Sequence, residues 1–266
     1  MDTKMIAVIT GASSGIGRAS AKMLVEKGYT VYDLSRTENP QEGVKHIACD
    51  VTRRETIDEA FRQIKEEAGR IDLLLLSAGM GIAGAIEFTT ESEMQRQFDV
   101  NVYGPIRVIQ AALPIMRVQE VGGKERGRIV FVGSMAGEFC IPFQAMYSAT
   151  KAAINSFAFG LANELRDYKI SVSCVEPGDV HTNFKRTTDL TGGDVYPQMK
   201  SAIEQMIHDE ENGLTSEQVA RRVMRASTAR CPKLYYTSDL LSDLERFAKR
   251  IVPTRLAVWV LGKMYK

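Results

Sequence analysis

The chain has 266 residues, 44% of them hydrophobic and 25% charged, with a formal net charge of +1. Enough apolar side chains are present for a large core, and the near-neutral balance gives no argument for a nucleic-acid partner. Cys49, Cys140, Cys174 and Cys231 form no CxxC pair and have no histidine at ligand spacing, so no metal is expected and the thiols read as buried in a reducing cytoplasm.

The N-terminal Met1-Asp2-Thr3-Lys4 runs directly into a strand-like stretch and leaves no room for a signal peptide. No apolar run approaches the roughly 18 residues that a membrane span needs. A cytoplasmic protein is expected. Residues 5–10 read as a strand buried on both faces, because the run is continuously apolar. A glycine-rich turn leads into a helix over about 15–27, which Gly28 ends as a C-terminal cap. Further strands are predicted at 30–34 and 46–50, then a helix through Ile57, Ala60, Phe61 and Ile64, then a strand at 71–76. Two long helical patterns, 91–118 and 145–168, lead into strands at 128–132 and 171–175, and a last strand falls at 233–237. This alternation is that of βαβ units in an α/β fold, a doubly wound parallel sheet. The stretch 179–215 differs. It is Thr- and Gly-rich, then amphipathic through Met199, Ile203, Met206 and Ile207, and reads as an insertion over the sheet edge.

The first strand and first helix are joined by Thr10-Gly11-Ala12-Ser13-Ser14-Gly15-Ile16-Gly17. Amides at a helix N-terminus favour negative charge, and glycines allow a pyrophosphate to approach closely. An ordinary tight turn is the alternative, but the position between strand and helix favours nucleotide binding. NAD enzymes of this architecture place an acid at the end of the second strand, whereas NADP enzymes supply a cation there. The strand end is Asp33-Leu34-Ser35-Arg36. Ser35 holds the place of the acid, and Arg36 can hold a 2′-phosphate by paired charge-assisted bonds. NADP(H) is therefore expected. A register shift would bring Asp33 to the ribose and favour NAD(H). Asp50, in Cys49-Asp50-Val51, is read either as an acceptor for the adenine amino group or as a cap for the helix that follows.

Tyr147 and Lys151 are four apart in a helical pattern and share one face. An ammonium beside a phenol favours the phenolate, which suits a group that exchanges a proton near neutral pH. Ser134 ends the strand-like Ile129-Val130-Phe131-Val132-Gly133, at the edge where ligands sit in parallel sheets. Each signal alone is weak. Together with Ala78-Gly79, Asn101 in Asp99-Val100-Asn101-Val102, and Pro177-Gly178 with Thr182, they resemble the short-chain dehydrogenase/reductase family over roughly residues 4–185.

The resemblance implies a Rossmann-type fold in one domain over 1–266, with a cofactor-binding and catalytic core (1–182), a helical substrate lid (183–215) and C-terminal helices (216–266). It implies an NAD(P)-dependent oxidoreductase acting on CH–OH groups. Tyr147 is then the general acid/base, Ser134 orients the substrate oxygen, and Lys151 holds the nicotinamide ribose and favours the Tyr147 phenolate. Asn101 interrupts its helix to position a water linking Lys151 to solvent; from the residues alone it reads as a helix-interior amide bonded to backbone. Cofactor contacts are implied for Gly11, Ser13, Ser14, Gly15, Ile16, Gly17, Ser35, Arg36, Asp50, Val51, Ser77, Ala78, Gly79, Asn101, Tyr147, Lys151, Pro177, Gly178, Val180 and Thr182. Leu76-Ser77 stand where the family often has two asparagines, so the support of the central strand is expected to be weaker. Subunit pairing through the helices near 98–118 and 145–168, as a homodimer or homotetramer, is also implied.

The tail over 215–266 resembles members acting on hydrophobic ketones and alcohols such as steroids, retinoids or lipids, and Pro177 to Thr182 is similar to 17β-hydroxysteroid dehydrogenases. A 3-oxoacyl thioester reductase and a non-catalytic nucleotide-sensing scaffold are the alternatives. Phe143, Met146, Phe184, Met199 and Met206 are candidate pocket residues, although a methionine stripe at helical spacing is more often core. The segment 246–266 mixes Lys249, Arg250, Arg255, Lys263 and Lys266 with Phe247, Ile251, Leu256, Trp259 and Leu261. It reads as a helix packed on its own domain or on a second subunit, with a membrane surface as the alternative. Arg221, Arg222 and Arg225 read as a solvated helix face, and His181 as a contact at the base of the lid.

Overall fold

The computed structural model describes residues 4–121, 125–182, 184, 186–249 and 251–265. In chain order the first half forms β1 (Ile6–Thr10), α1 (Gly15–Glu26), β2 (Thr30–Ser35), β3 (Val44–Ala48), α2 (Arg54–Glu67), β4 (Leu73–Leu76), β5 (Gly81–Ala83), α3 (Glu91–Phe98) and α4 (Gly104–Val118). The second half forms β6 (Gly127–Val132), α5 (Ala145–Glu164), β7 (Ile170–Glu176), β8 (Val180–His181), β9 (Arg186–Thr188), α6 (Met199–Glu211), β10 (Leu214–Thr215), α7 (Ser216–Thr228), β11 (Tyr235–Thr237), α8 (Leu240–Lys249) and α9 (Thr254–Met264). Every expected strand is present with its ends moved slightly, while the short β5, β8, β9 and β10 carry too few residues to leave a periodic signal.

Seven strands pair in parallel in the order β11-β7-β6-β4-β1-β2-β3. The reason is legible in β4, which is four leucines. Leu73 and Leu75 point into one cluster, with Leu24 of α1 and Val219 and Val223 of α7. Leu74 and Leu76 point into the other, with Ile57 and Ile64 of α2, Ile109 of α4 and Ile154 of α5. Side chains alternate across a strand, so only a sheet covered by helices on both faces buries all four. Each fully buried leucine contributes about 1.5–3 kcal/mol. The chain builds outward from β1 to β3, then returns to β4 on the other side of β1. That switch point opens a crevice at the carboxyl ends of the strands.

Several expectations are revised. The pattern over 91–118 is not one helix: a π-helical turn, Asp99–Tyr103, separates α3 from α4. A π turn inserts one residue and turns its side chains away from the flanking stripe. Cys49 and Cys174 are buried, but Cys140 and Cys231 are exposed, so the buried-thiol expectation fails for two of them. Arg222 donates to the Ser238 carbonyl at 2.9 Å and tethers the chain beyond β11, whereas Arg221 and Arg225 are exposed. The insertion is tied down by β8–β10 and β5–β9 pairing, with His181 opposite Thr215. Among the described residues no helix is long and apolar enough to cross a membrane, and no group of His, Cys, Asp and Glu could hold a metal.

Candidate active site

The loop between β1 and α1 is shaped by backbone that only glycine adopts easily. Gly11 and Gly15 have φ of +75° and +54°. Gly17 serves by close approach, since a Cβ there would lie 2.4 Å from the Gly11 carbonyl oxygen. Below the loop, the buried Asp33 carboxylate accepts from the Ala12 amide (2.9 Å) and the Ser35 hydroxyl (2.7 Å), and lies 3.2 Å from His46 Nδ1. Asp33 is thus committed to holding the loop and lies off the crevice, whereas Ser35 and Arg36 line it.

Asp50 accepts from both the amide and the hydroxyl of Thr52, at 2.9 and 2.7 Å. It closes a turn of its own. The N-cap of α2 is Arg53, whose side chain makes no cap bond, so the helix-cap reading of Asp50 is corrected. Desolvation pushes this carboxyl up, but the Thr52 bonds, Arg36 and Arg53 together hold it below its ordinary value.

β6 leads to Ser134, whose hydroxyl accepts from the Ala136 amide (3.1 Å) and caps a 3₁₀ turn over Met135–Gly137. That turn packs directly on α5. A Cβ on Gly137 would lie 2.8 Å from the Lys151 carbonyl carbon. On α5, Lys151 Nζ lies 5.7 Å from the Tyr147 ring centroid and donates to the Val132 carbonyl at 2.9 Å. The carbonyl of Tyr147 accepts from the Thr150 hydroxyl, which in turn accepts from Asn101 Nδ2 at 3.1 Å. Asn101 also satisfies both backbone groups of Met80, at 2.9 and 2.8 Å. It stands inside the π turn, bonded to backbone outside its own helix. Phe184 meets the Tyr147 ring edge-on at 5.8 Å.

These pieces converge on one cavity of about 1380 Å³. Gly11, Ser13, Ser14, Gly15, Ile16, Ser35, Arg36, Asp50, Val51, Ser77, Ala78, Gly79, Ser134, Tyr147, Lys151, Pro177, Gly178, Val180 and Thr182 all line it. Gly17 and Asn101 do not, because one packs beneath the loop and the other bonds behind Met80. The expected weakness at Leu76-Ser77 is offset by Thr10, whose hydroxyl accepts from the Ser77 and Ala78 amides at 3.1 and 3.2 Å. The cavity suits a dinucleotide. A Cβ on Gly15 would stand 3.7 Å from Thr182, in the space between the loop and the β7 end, and the loop, the Arg36 guanidinium and the Asp50 carboxylate border the same space.

Of the proposed pocket residues, only Phe184 lines the cavity. Met199 and Met206 are buried in the core that α6 makes with Ala83, Ala85 and Tyr265; Phe143 packs against it and Met146 lies off the lining. A further part of the lining lies outside the expected residues. It comes from Phe139, Ile141 and the inner side of α9: Leu256, Ala257, Val260, Leu261, Met264 and Tyr265. The i, i+1, i+4, i+5 spacing puts those α9 residues on one face but says nothing of what it faces, and Leu256, Val260 and Met264 on it stay exposed. Near this wall, desolvation and then Asp209 and Glu210 push the Asp179 carboxyl up to about 6, against Arg186. Burial, then Asp179, pushes the Tyr265 phenol up to about 12.

Residues 5–191 match the family described as short chain dehydrogenase. The chain is 40% identical over 191 residues to 3-ketodihydrosphingosine reductase of Bacteroides thetaiotaomicron, covering 70% of this chain and 69% of that protein. It is 31% identical over 182 residues to the 3-oxoacyl-[acyl-carrier-protein] reductase MabA of Mycobacterium tuberculosis, covering 68% and 72%. A short-chain dehydrogenase from Streptomyces avermitilis superposes with a TM-score of 0.84 at 27% identity, covering 98% of this chain and 97% of that one.

Proposed function

Because the chain belongs to the short-chain dehydrogenase family, whose members are nicotinamide-dependent oxidoreductases acting on CH–OH and carbonyl groups, we propose that it reduces a lipid-like ketone with NADPH, or oxidises the matching secondary alcohol. The bound nicotinamide supplies or accepts the hydride. Tyr147 exchanges the proton at the substrate oxygen, and Ser134, fixed in extended backbone by its 3₁₀ cap, orients that oxygen. Lys151 Nζ, held by the Val132 carbonyl, stands 5.7 Å from the Tyr147 ring centroid, where its ammonium can reach a ribose hydroxyl. Asn101 acts through Thr150 and Met80, fixing the first turn of α5 and the chain beyond Gly79. NADP(H) rather than NAD(H) is supported by Arg36 on the cavity wall and by the burial of Asp33 away from it. The segment 183–215 serves as the lid, and pairing of copies through the π turn with α4 and through α5 is supported by exposed Tyr103 at the end of that turn and by Phe157 and Phe159 on α5.

The observation that carries the substrate class is the set of apolar side chains from Phe139, Ile141, Val252 and α9 that lines the same cavity as Tyr147. Two relatives named for 3-keto and 3-oxo substrates support a ketone at the third carbon of a long chain. The likeness to MabA keeps a 3-oxoacyl thioester as the second reading. A panel of long-chain 3-oxo amines, esters and thioesters with steroid ketones, assayed with NADPH and NADH, tests both. Turnover is expected with a long-chain 3-oxo compound and lost in Tyr147→Phe, which still binds NADPH. Turnover confined to steroids or short ketones would overturn the lipid assignment.

A further inference from the structure

Helix α8 is amphipathic in the wrong sense for a helix on a protein surface. Its inward side carries Ser242, which is buried, and Arg246, which pairs with the fully buried Glu176. Its outward side carries Leu241 (65% exposed), Leu244 and Phe247 (59%), continued by Ile251 (67%). A surface helix ordinarily turns its apolar stripe inward. Helix α9 follows within a few residues. Its inner residues wall the cavity, while Val258 and Trp259 (61%) stand outward beside Arg255 and Lys263. Six of the exposed large apolar side chains among the described residues stand on these outward sides: Leu241, Leu244, Phe247, Ile251, Val258 and Trp259. Contiguous apolar surface of this kind marks an interaction site.

Charge selects the occupant. On α8 the acidic Asp243 and Glu245 stand beside Arg246 and Lys249, which are paired with Glu176 and Glu138, but α9 carries the exposed Arg255 and Lys263 and no acidic residue follows Glu245 in the sequence. A second copy packed face to face would set the basic Arg255 and Lys263 against the same basic stretch of its partner. An anionic lipid surface instead meets both features, with leucine, phenylalanine and tryptophan side chains among the acyl chains and basic side chains reaching the headgroups. We propose that the α8–α9 face docks the protein on an anionic phospholipid bilayer. Since α9 is at once the docking element and the cavity wall, a lipid ketone enters from the membrane; this consequence rests on the proposed function, whereas docking does not.

Trp259 is the single tryptophan of the chain, so its fluorescence reports directly on this face. The full-length chain is mixed with vesicles of phosphatidylglycerol and phosphatidylcholine in equal parts, and with vesicles of phosphatidylcholine alone. Co-sedimentation and a blue shift of Trp259 emission are expected with the anionic vesicles only, both weakened by salt. The pair Arg255→Glu with Lys263→Glu, and separately Leu244→Ser with Phe247→Ser, should lower binding at least roughly tenfold. Melting temperatures within about 2 °C of the parent would show the variants folded; the parent's own binding decides the matter if they are not. No binding, or equal binding to both vesicle types, overturns the proposal. So does a blue shift that grows with protein concentration without vesicles, which would identify a second copy as the occupant. Binding is read without substrate. A chain that binds vesicles but turns over no lipid ketone would therefore keep the docking face and lose only the proposed function.

Discussion

Asp33 and Arg36 are three residues apart and serve opposite ends. The carboxylate is buried under the glycine loop, accepting from Ala12 and Ser35, while the guanidinium stands on the cavity wall. If Arg36 holds a 2′-phosphate, Arg36→Leu should lower kcat/KM for NADPH roughly 10- to 100-fold, the worth of a charge-assisted bond, and leave NADH nearly unchanged. Steady-state rates with both cofactors check this. Asp179 gives a prediction of opposite character. Its carboxyl is raised to about 6, so ionising it costs stability in the folded state. Stability is fullest below the ordinary value near 4 and falls as pH rises toward 6. Asp179→Asn should therefore raise the melting temperature at pH 8 and change it little at pH 4. An equal effect at both would mean that the charge is not the cause.

At the scale of elements, two junctions matter most. The first is the π turn between α3 and α4, which carries Asn101 out of the apolar stripe and onto Thr150 of α5. Hydrophobic periodicity runs straight through 91–118 and cannot reveal a single inserted residue. The second is the seat of α8. Glu176 ends β7 with no exposure and is held by Arg246 and by Asn155 at 2.6 Å, while the Arg246 guanidinium lies 3.9 Å from the Tyr235 ring. Arg246→Met leaves that carboxylate buried without its counter-charge and should cost about 3–5 kcal/mol. Adding Glu176→Gln should recover part of the loss, because the uncompensated charge is then gone. Denaturant unfolding of the two variants measures both, and a double variant as unstable as the single would show that the pair is not what seats α8.

For the whole molecule, the proposed pairing of copies places Phe159 of α5, 59% exposed in one chain, in the interface. Phe159→Glu should shift the mass in solution to that of a single chain, as read by light scattering. An unchanged mass would move the interface elsewhere. The parallel sheet, the glycine loop after β1 and the Tyr147–Lys151 pair were all legible in the sequence because each depends on neighbours within one turn or one strand. Continuous apolar runs, glycines at a strand–helix junction and an i, i+4 spacing are local facts, and local geometry converts them into structure directly. What faces what was not legible. That Asp33 turns under the loop, that Met199 and Met206 go to core, that Thr10 stands in for a missing asparagine and that α9 walls the cavity while α8 shows its apolar side to solvent were decided by contacts between residues far apart in the chain. A helical period states which residues share a face, but only the packed molecule determines whether that face meets the core, a substrate or a lipid surface.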